Sequence, residues 1–182
     1  MNIEPLSIAG AYEITARVHA DHRGEFSRFY CESTFAEHGL NTHWVQHNRS
    51  LTKAKGAVRG MHLQYPPHAE IKLVQCVAGA VFDVLVDLRA KSSTFGQWQS
   101  VRLDASRHNA VYIPHGVAHG FQALTDDARL IYLHSSVYTP QVEGGVRHDD
   151  PDLDIAWPLP VSEVSHKDRA LPSLSSIQPV EL

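Results

Sequence analysis

Five residues, His62, Lys72, His119, Tyr132 and Tyr138, carry side chains that could move a proton or fix a charge. An imidazole with an ordinary pKa of about 6.5 can take a proton near neutral pH, whereas a phenol at about 10 keeps one that it can still give to a strong base. Lys72 is the more telling residue, because it lies in an apolar run and a buried ammonium is costly without a partner or a task. A base, an acid and a fixed cation are what is needed to remove a proton beside a carbonyl and return one. A single His or Tyr on a strand is more often an ordinary hydrogen-bonded residue, so the chemistry depends on whether these groups converge.

Convergence depends on the elements that carry them. Short β-rich runs bounded by Gly, Pro, Asp or Asn occur at 57–64, 71–77, 81–88, 101–104, 110–114, 118–124 and 128–138. Close spacing of short strands predicts an all-β antiparallel sandwich or barrel. The runs on either side of Ala78-Gly-Ala80 read as a hairpin. Alternation groups Tyr132, His134, Ser136 and Tyr138 on one face; Val58, Gly60, His62 and Gln64 on another; and Lys72 with Val74 and Cys76. His119 aligns with Phe121. Arg59 has the opposite parity to His62, so it reaches the same cavity only through a bulge, a strand end or a neighbouring subunit. Asp83 and Asp87 fit the wet face of their strand. Helices are few and peripheral: Thr34 to Glu37 has capping-box spacing with Gly39 as the stop, and Ser165 to Asp168 could start a second. The proline-spaced tail after Trp157 is expected to pack across the barrel rather than add strands.

At 182 residues the chain fits one domain, spanning 1–182. A formal charge of −4 argues against dedicated nucleic-acid binding. Cys31 and Cys76 make neither a disulfide framework nor a metal-type pair, which suits a reducing compartment. The start has no basic stretch leading into an apolar core, and Gln75, Asp83 and Asp87 break the most apolar segment, so neither signal peptide nor membrane span is expected. A cytoplasmic location follows as the expectation.

Pro114-His-Gly-Val-Ala-His119 resembles the second motif of the cupins, a turn feeding a barrel strand whose histidine points inward. The first cupin motif supplies an H-x-H pair, but here the matching stretch is His62-Leu-Gln64, with His68 and Glu70 further on. No metal site is therefore expected, although His62, His68, Glu70 and His119 are residue types that zinc or iron accepts.

The blocks Asp21-His-Arg-Gly-Glu-Phe26, Val58-Arg-Gly-Met-His62, Pro66-Pro-His-Ala-Glu-Ile-Lys72, Thr94-Phe-Gly-Gln-Trp98, Ala118-His-Gly-Phe121 and Ile155-Ala-Trp-Pro158 occur in order between about Ile8 and Pro172. Together they resemble the dTDP-4-dehydrorhamnose 3,5-epimerase family. The resemblance implies a cupin-type jelly roll and a homodimer exchanging N-terminal arms of about 1–30. It also implies no metal or other cofactor, and a nucleotide-linked 4-keto-6-deoxy sugar, most simply a dTDP-sugar, as substrate.

The same resemblance implies roles. His62 matches the base, Lys72 the cation near the C4 oxygen, and Tyr132 the acid on the opposite face. Asp168 matches the carboxylate that orients the base, with Asp83 as its competitor. Arg23 and Arg59 match nucleotide-diphosphate contacts, and His119 matches a sugar contact. Tyr138, with Phe26 from a partner subunit, matches aromatic stacking on the base. Gln46, Asn48 and Glu143 match polar positions facing substrate, although a solvated Glu143 is nearly as plain a reading. One departure stands out. Phe26-Ser-Arg28 replaces the family's Phe-x-Glu, which bears on the nucleotide or sugar accepted. His134 and His148 stand where other residues are usual and have no assigned role. Inversion of one centre, another nucleotide sugar, and a binding protein without activity are the alternatives.

Overall fold

The computed structural model describes residues 1–182. Four short strands open the chain, β1 (Asn2–Pro5), β2 (Tyr12–Thr15), β3 (Val18–Asp21) and β4 (Gly24–Ser27), followed by helix α1 (Glu32–Glu37). The body comprises β5 (Gln46–Thr52), β6 (Val58–Gln64), β7 (Lys72–Ala78), β8 (Ala80–Asp87), β9 (Trp98–Asp104), β10 (Asn109–Ile113), β11 (Val117–Ala123), β12 (Ala128–His134) and β13 (Glu143–Gly145). A single turn of helix, α2 (His166–Arg169), lies near the end.

Two antiparallel sheets face each other in a jelly roll. One runs β1-β2-β10-β7-β12-β5, the other β13-β6-β11-β8-β9, and β3 with β4 forms a separate hairpin. Val74, Cys76, Val111, Ile113 and Leu130 of the first sheet pack against Val81, Leu85, Leu103, Phe121 and Ala123 of the second. Alternation along β8 then sends Val84 and Val86 outward, where residues Leu153, Ile155 and Val180 of the C-terminal region cover them. Phe35 of α1 and Leu40 cover the outer face of the first sheet beside Leu73 and Leu133. With both of its faces covered, a central strand such as β8 reads as a near-continuous apolar run.

Several expectations from sequence are corrected. The runs around Gly79 do not pair as a hairpin, because β7 and β8 belong to opposite sheets. Gly79, at φ +74°, turns the chain across the sandwich in a left-handed conformation that suits glycine. The capping box at Thr34 does not form: Cys31 is the N-cap without a side-chain bond, and Thr34 lies within α1. Gly39 does follow the helix, at φ +68°. At α2, Ser165 caps as its spacing suggests, accepting the Asp168 N–H at 3.1 Å. Strand β12 ends at His134, so Tyr138 lies on a following loop rather than on the strand. Asp83 and Asp87 are fully buried rather than on a wet face. Arg89, Ser92 and Thr94 all bond the Asp87 carboxylate, which explains how it can be buried.

One irregularity sets the site. His119 pairs with His62 and Phe121 with Arg59, so Gly120 alone faces two residues of β6, Gly60 and Met61. The extra residue is a bulge that resets the parity of β6 and brings Arg59 to the side of His62. It needs two glycines. A Cβ on Gly60, which sits at φ +120°, would run into the Gly120 Cα, and one on Gly120 would lie 2.5 Å from the Met61 Sδ.

Candidate active site

A cavity of about 270 Å³ is lined by residues of both sheets. Strand β6 contributes Arg59 and His62, β7 contributes Lys72, and β11 contributes His119. Strands β5 and β12, which share the sheet of β7 and face β6 and β11, supply Gln46, Asn48 and Tyr132, and the segment after β12 supplies Tyr138 and Glu143. The structure thus brings together nine of the residues singled out from sequence, with Asp168 behind His62.

Asp168 approaches through α2, whose capped turn aims its carboxylate at β6. Its Oδ1 lies 2.9 Å from His62 Nε2 and its Oδ2 accepts the Gly60 N–H at 3.1 Å. Burial opposes its ionised form, yet the bonds from His62 and Gly60 outweigh that and hold the carboxyl below its ordinary range. An ionised carboxylate can only accept, so His62 Nε2 carries a hydrogen, and in the neutral imidazole the lone pair is then on Nδ1. Asp83, the competing partner, instead meets His119 Nε2 at 2.7 Å. Burial drives the Asp83 pKa upward despite His119 and, further off, Lys72.

Lys72 is 7% exposed, which excludes an ordinary solvated edge lysine. Its Nζ sits 3.1 Å from Glu70 Oε1 and donates to the His62 carbonyl at 3.2 Å. An ammonium has three hydrogens, so one remains for a ligand in the cavity. On β12, the strand next to β7 in the same sheet, the Tyr132 hydroxyl is 3.0 Å from Ser50 Oγ. Burial pushes the Tyr132 phenol up to about 12, the Ser50 bond opposing only in part. At the mouth, Glu143 accepts from both the Tyr138 hydroxyl and Lys167 Nζ at 2.6 Å. Burial raises the Glu143 pKa, but Lys167 and Tyr138 more than reverse this and keep it lowered.

Arg23, Phe26 and Arg28 do not reach the cavity of their own chain. Arg23 pairs with Asp21 on the exposed β3–β4 hairpin, Phe26 is 66% exposed, and Arg28 lies nearer Arg17 and Cys31. Sequence reasoning missed Arg49 and Ser50 in the lining, named Glu70 only among residue types a metal accepts, and left His134 on the Tyr132 face without a role. The signal for His134 was its shared parity with Tyr132; for Glu70 it was the two-residue spacing to Lys72. No three His, Cys, Asp or Glu side chains are grouped as metal ligands, since His62, His119 and Glu70 are each bonded elsewhere.

A jelly roll whose cavity holds a carboxylate-bound imidazole on one sheet, a buried phenol on the other and an ammonium beside them belongs to the acid–base isomerases. The family model for dTDP-4-dehydrorhamnose 3,5-epimerase matches residues 5–176, and the chain belongs to that family. It is 44% identical to the dTDP-4-dehydrorhamnose 3-epimerase of Streptomyces niveus, over 93% of this chain and 82% of the relative. It is 42% identical to the dTDP-4-dehydrorhamnose 3,5-epimerase of Streptomyces griseus, over 97% and 88%. Among solved structures, a 4-keto-6-deoxy sugar epimerase of the novobiocin gene cluster of Streptomyces spheroides superposes with a TM-score of 0.93 at 43% identity, covering 96% of this chain and 88% of that one.

Proposed function

We propose that this chain converts dTDP-4-dehydro-6-deoxy-D-glucose to dTDP-4-dehydro-L-rhamnose by inverting C3 and C5, with His62 as base, Lys72 as enolate stabiliser and Tyr132 as acid. The observation that carries this is the placement of His62 and Tyr132 on facing sheets of one cavity, with Lys72 in the same lining on the strand next to that of Tyr132. Inversion requires a proton to leave one face of a carbon and another to arrive on the opposite face.

His62 Nδ1 takes the proton beside the C4 ketone, and the C–H electron pair moves into the carbonyl to give an enolate. Asp168 stabilises the resulting imidazolium. The third Lys72 hydrogen meets the growing charge on the C4 oxygen, where one such donor is worth roughly 3–4 kcal/mol. Tyr132 then protonates the carbon from the other side and becomes a phenolate, with Ser50 able to donate to it. Each inversion leaves His62 charged and Tyr132 ionised, so a proton returns through solvent before the next. No electron leaves the sugar, so no redox cofactor is required.

Arg59 suits the diphosphate because its planar guanidinium pairs with two oxygens. Gln46, Asn48, His119, Tyr138 and Glu143 complete the substrate wall. Arg23, Phe26 and Arg28 serve the cavity of a second subunit through an exchanged arm. The exposed β3–β4 hairpin, the open edge of β5 and the bare Phe26 ring favour that homodimer. No helix is long and apolar enough to cross a membrane. A cytoplasmic place suits the two free cysteines and a nucleotide-activated substrate.

Incubation with dTDP-4-dehydro-6-deoxyglucose in deuterated water, followed by proton NMR, tests the reaction. Loss of both the H3 and H5 signals is expected, and retention of both would sink it. Loss of H3 alone identifies the second reading, a 3-epimerase, which the 44%-identical 3-epimerase relative favours. Sedimentation tests the homodimer, and a monomer at assay concentration would refute arm exchange.

A further inference from the structure

Along the cavity wall lies a line of polar groups whose hydrogen bonds all run one way. At one end the Tyr138 backbone N–H donates to Gln46 Oε1 at 3.0 Å. Gln46 Nε2 donates to Asn48 Oδ1 at 3.3 Å, and Asn48 Nδ2 stands 3.2 Å from His134 Nε2. His134 Nδ1 stands 2.7 Å from Glu70 Oε2. An amide N–H can only donate and an ionised carboxylate can only accept, so neither end can be reversed. Glu70 is ionised: burial opposes its charge, but His134 and Lys72 keep its pKa below the ordinary range.

We propose that Glu70 and His134 are positioning residues that fix which faces of the Asn48 and Gln46 amides are presented to a bound nucleotide sugar. This rests on the functional reading above. The chain selects one imidazole tautomer, with hydrogen on Nδ1 and a lone pair on Nε2. The other tautomer would put a hydrogen opposite the Asn48 amide N–H. Turning Asn48 to avoid that would turn Gln46 as well, and its NH₂ would then face the Tyr138 N–H. The ring is held in plane for this task, being 8% exposed and stacked on Tyr132 with centroids 6.1 Å apart at 22°.

Glu70 also joins two halves of the site. Its Oε2 ends this chain, while its Oε1 holds Lys72 at 3.1 Å. Only a carboxylate can accept at both ends, because a carboxamide in its place would turn an NH₂ toward either His134 or Lys72. The residue therefore ties the amides beside Tyr138 to the ammonium beside His62 through one rigid group.

The test has two arms. Nitrogen-15 NMR of the full-length protein labelled in its histidines, with His134 assigned by its loss in His134→Phe, reads the tautomer directly. We expect a protonated Nδ1 and a bare Nε2; hydrogen on Nε2, alone or on both nitrogens, overturns the proposal. Calorimetric titration with dTDP reads the consequence. His134→Phe keeps the stacked ring but neither bond, and is expected to weaken dTDP binding roughly tenfold, as loss of about one buried hydrogen bond does. His134→Gln can still donate to Glu70 and accept from Asn48, and is expected to recover most of that loss. Equal affinity for the wild type and His134→Phe, or equal losses in both variants, overturns the proposal. A wild type that binds no dTDP overturns the functional reading instead, and the tautomer still judges the chain.

Discussion

His62 and Asp168 meet at 2.9 Å, and the same carboxylate bonds the Gly60 N–H, so one acidic group holds both the imidazole and the strand beneath it. Asp168→Asn separates these tasks. Its single carbonyl oxygen would serve Gly60, leaving the NH₂ to face His62 Nε2 and force the hydrogen onto Nδ1, the atom assigned as base. We expect kcat to fall by roughly 10²–10⁴ with little change in KM, read by steady-state kinetics. An unchanged kcat would remove Asp168 from the mechanism.

Tyr132→Phe removes the acid and leaves the base. Wash-in of deuterium at C3 should persist while net inversion stops, which NMR of the recovered sugar separates. Because burial raises this phenol to about 12, the wild-type kcat should show no alkaline fall from Tyr132 below about pH 10. A loss of inversion with a pKa near 8 would point to another acid.

Lys72→Met takes the cation from the ketone oxygen and strips Glu70 of one of its two partners. We expect kcat to drop roughly 10²–10³-fold and the thermal midpoint to fall, by kinetics and scanning calorimetry. A variant with full kcat would exclude the charge from the chemistry.

Outside the cavity lining, Asp87 should make its own contribution to acid sensitivity. Burial would raise its pKa, but Arg89, Ser92 and Thr94 overcome this and lower it to about 2, against about 3.9 in an unfolded chain. A depressed carboxyl stabilises the fold above its unfolded pKa, and that contribution is lost as pH falls through the folded value. Urea melts should show about 2 kcal/mol disappearing between roughly pH 4 and pH 2, and Asp87→Asn should lack that slope.

Much of the sandwich could be read from the chain because strands buried on both faces are written in apolar residues. The segments 81–88 and 118–124 declare themselves in this way. Strand β5 does not: Gln46 to Thr52 is almost wholly polar, since it is an edge strand whose side chains face the cavity or solvent. Pairing is the second limit. A glycine between two apolar runs looks the same whether the chain returns to its own sheet or crosses to the other, so Gly79 read as a hairpin. Buried charge is the third. Asp83 and Glu70 resemble surface residues until His119 and His134, distant in sequence, arrive to pair with them.

Gly60 and Gly120 carry no functional group, yet they govern the register in which the two histidine-bearing strands lie side by side. The reach from His62 to His119 is therefore gauged by the absence of two methyl groups. An alanine at either place would leave every acid, base and cation in the protein chemically intact while wedging apart the wall that aligns them. Tolerance to mutation here should track molecular thickness rather than chemical character, making these two silent positions as exacting as the base itself.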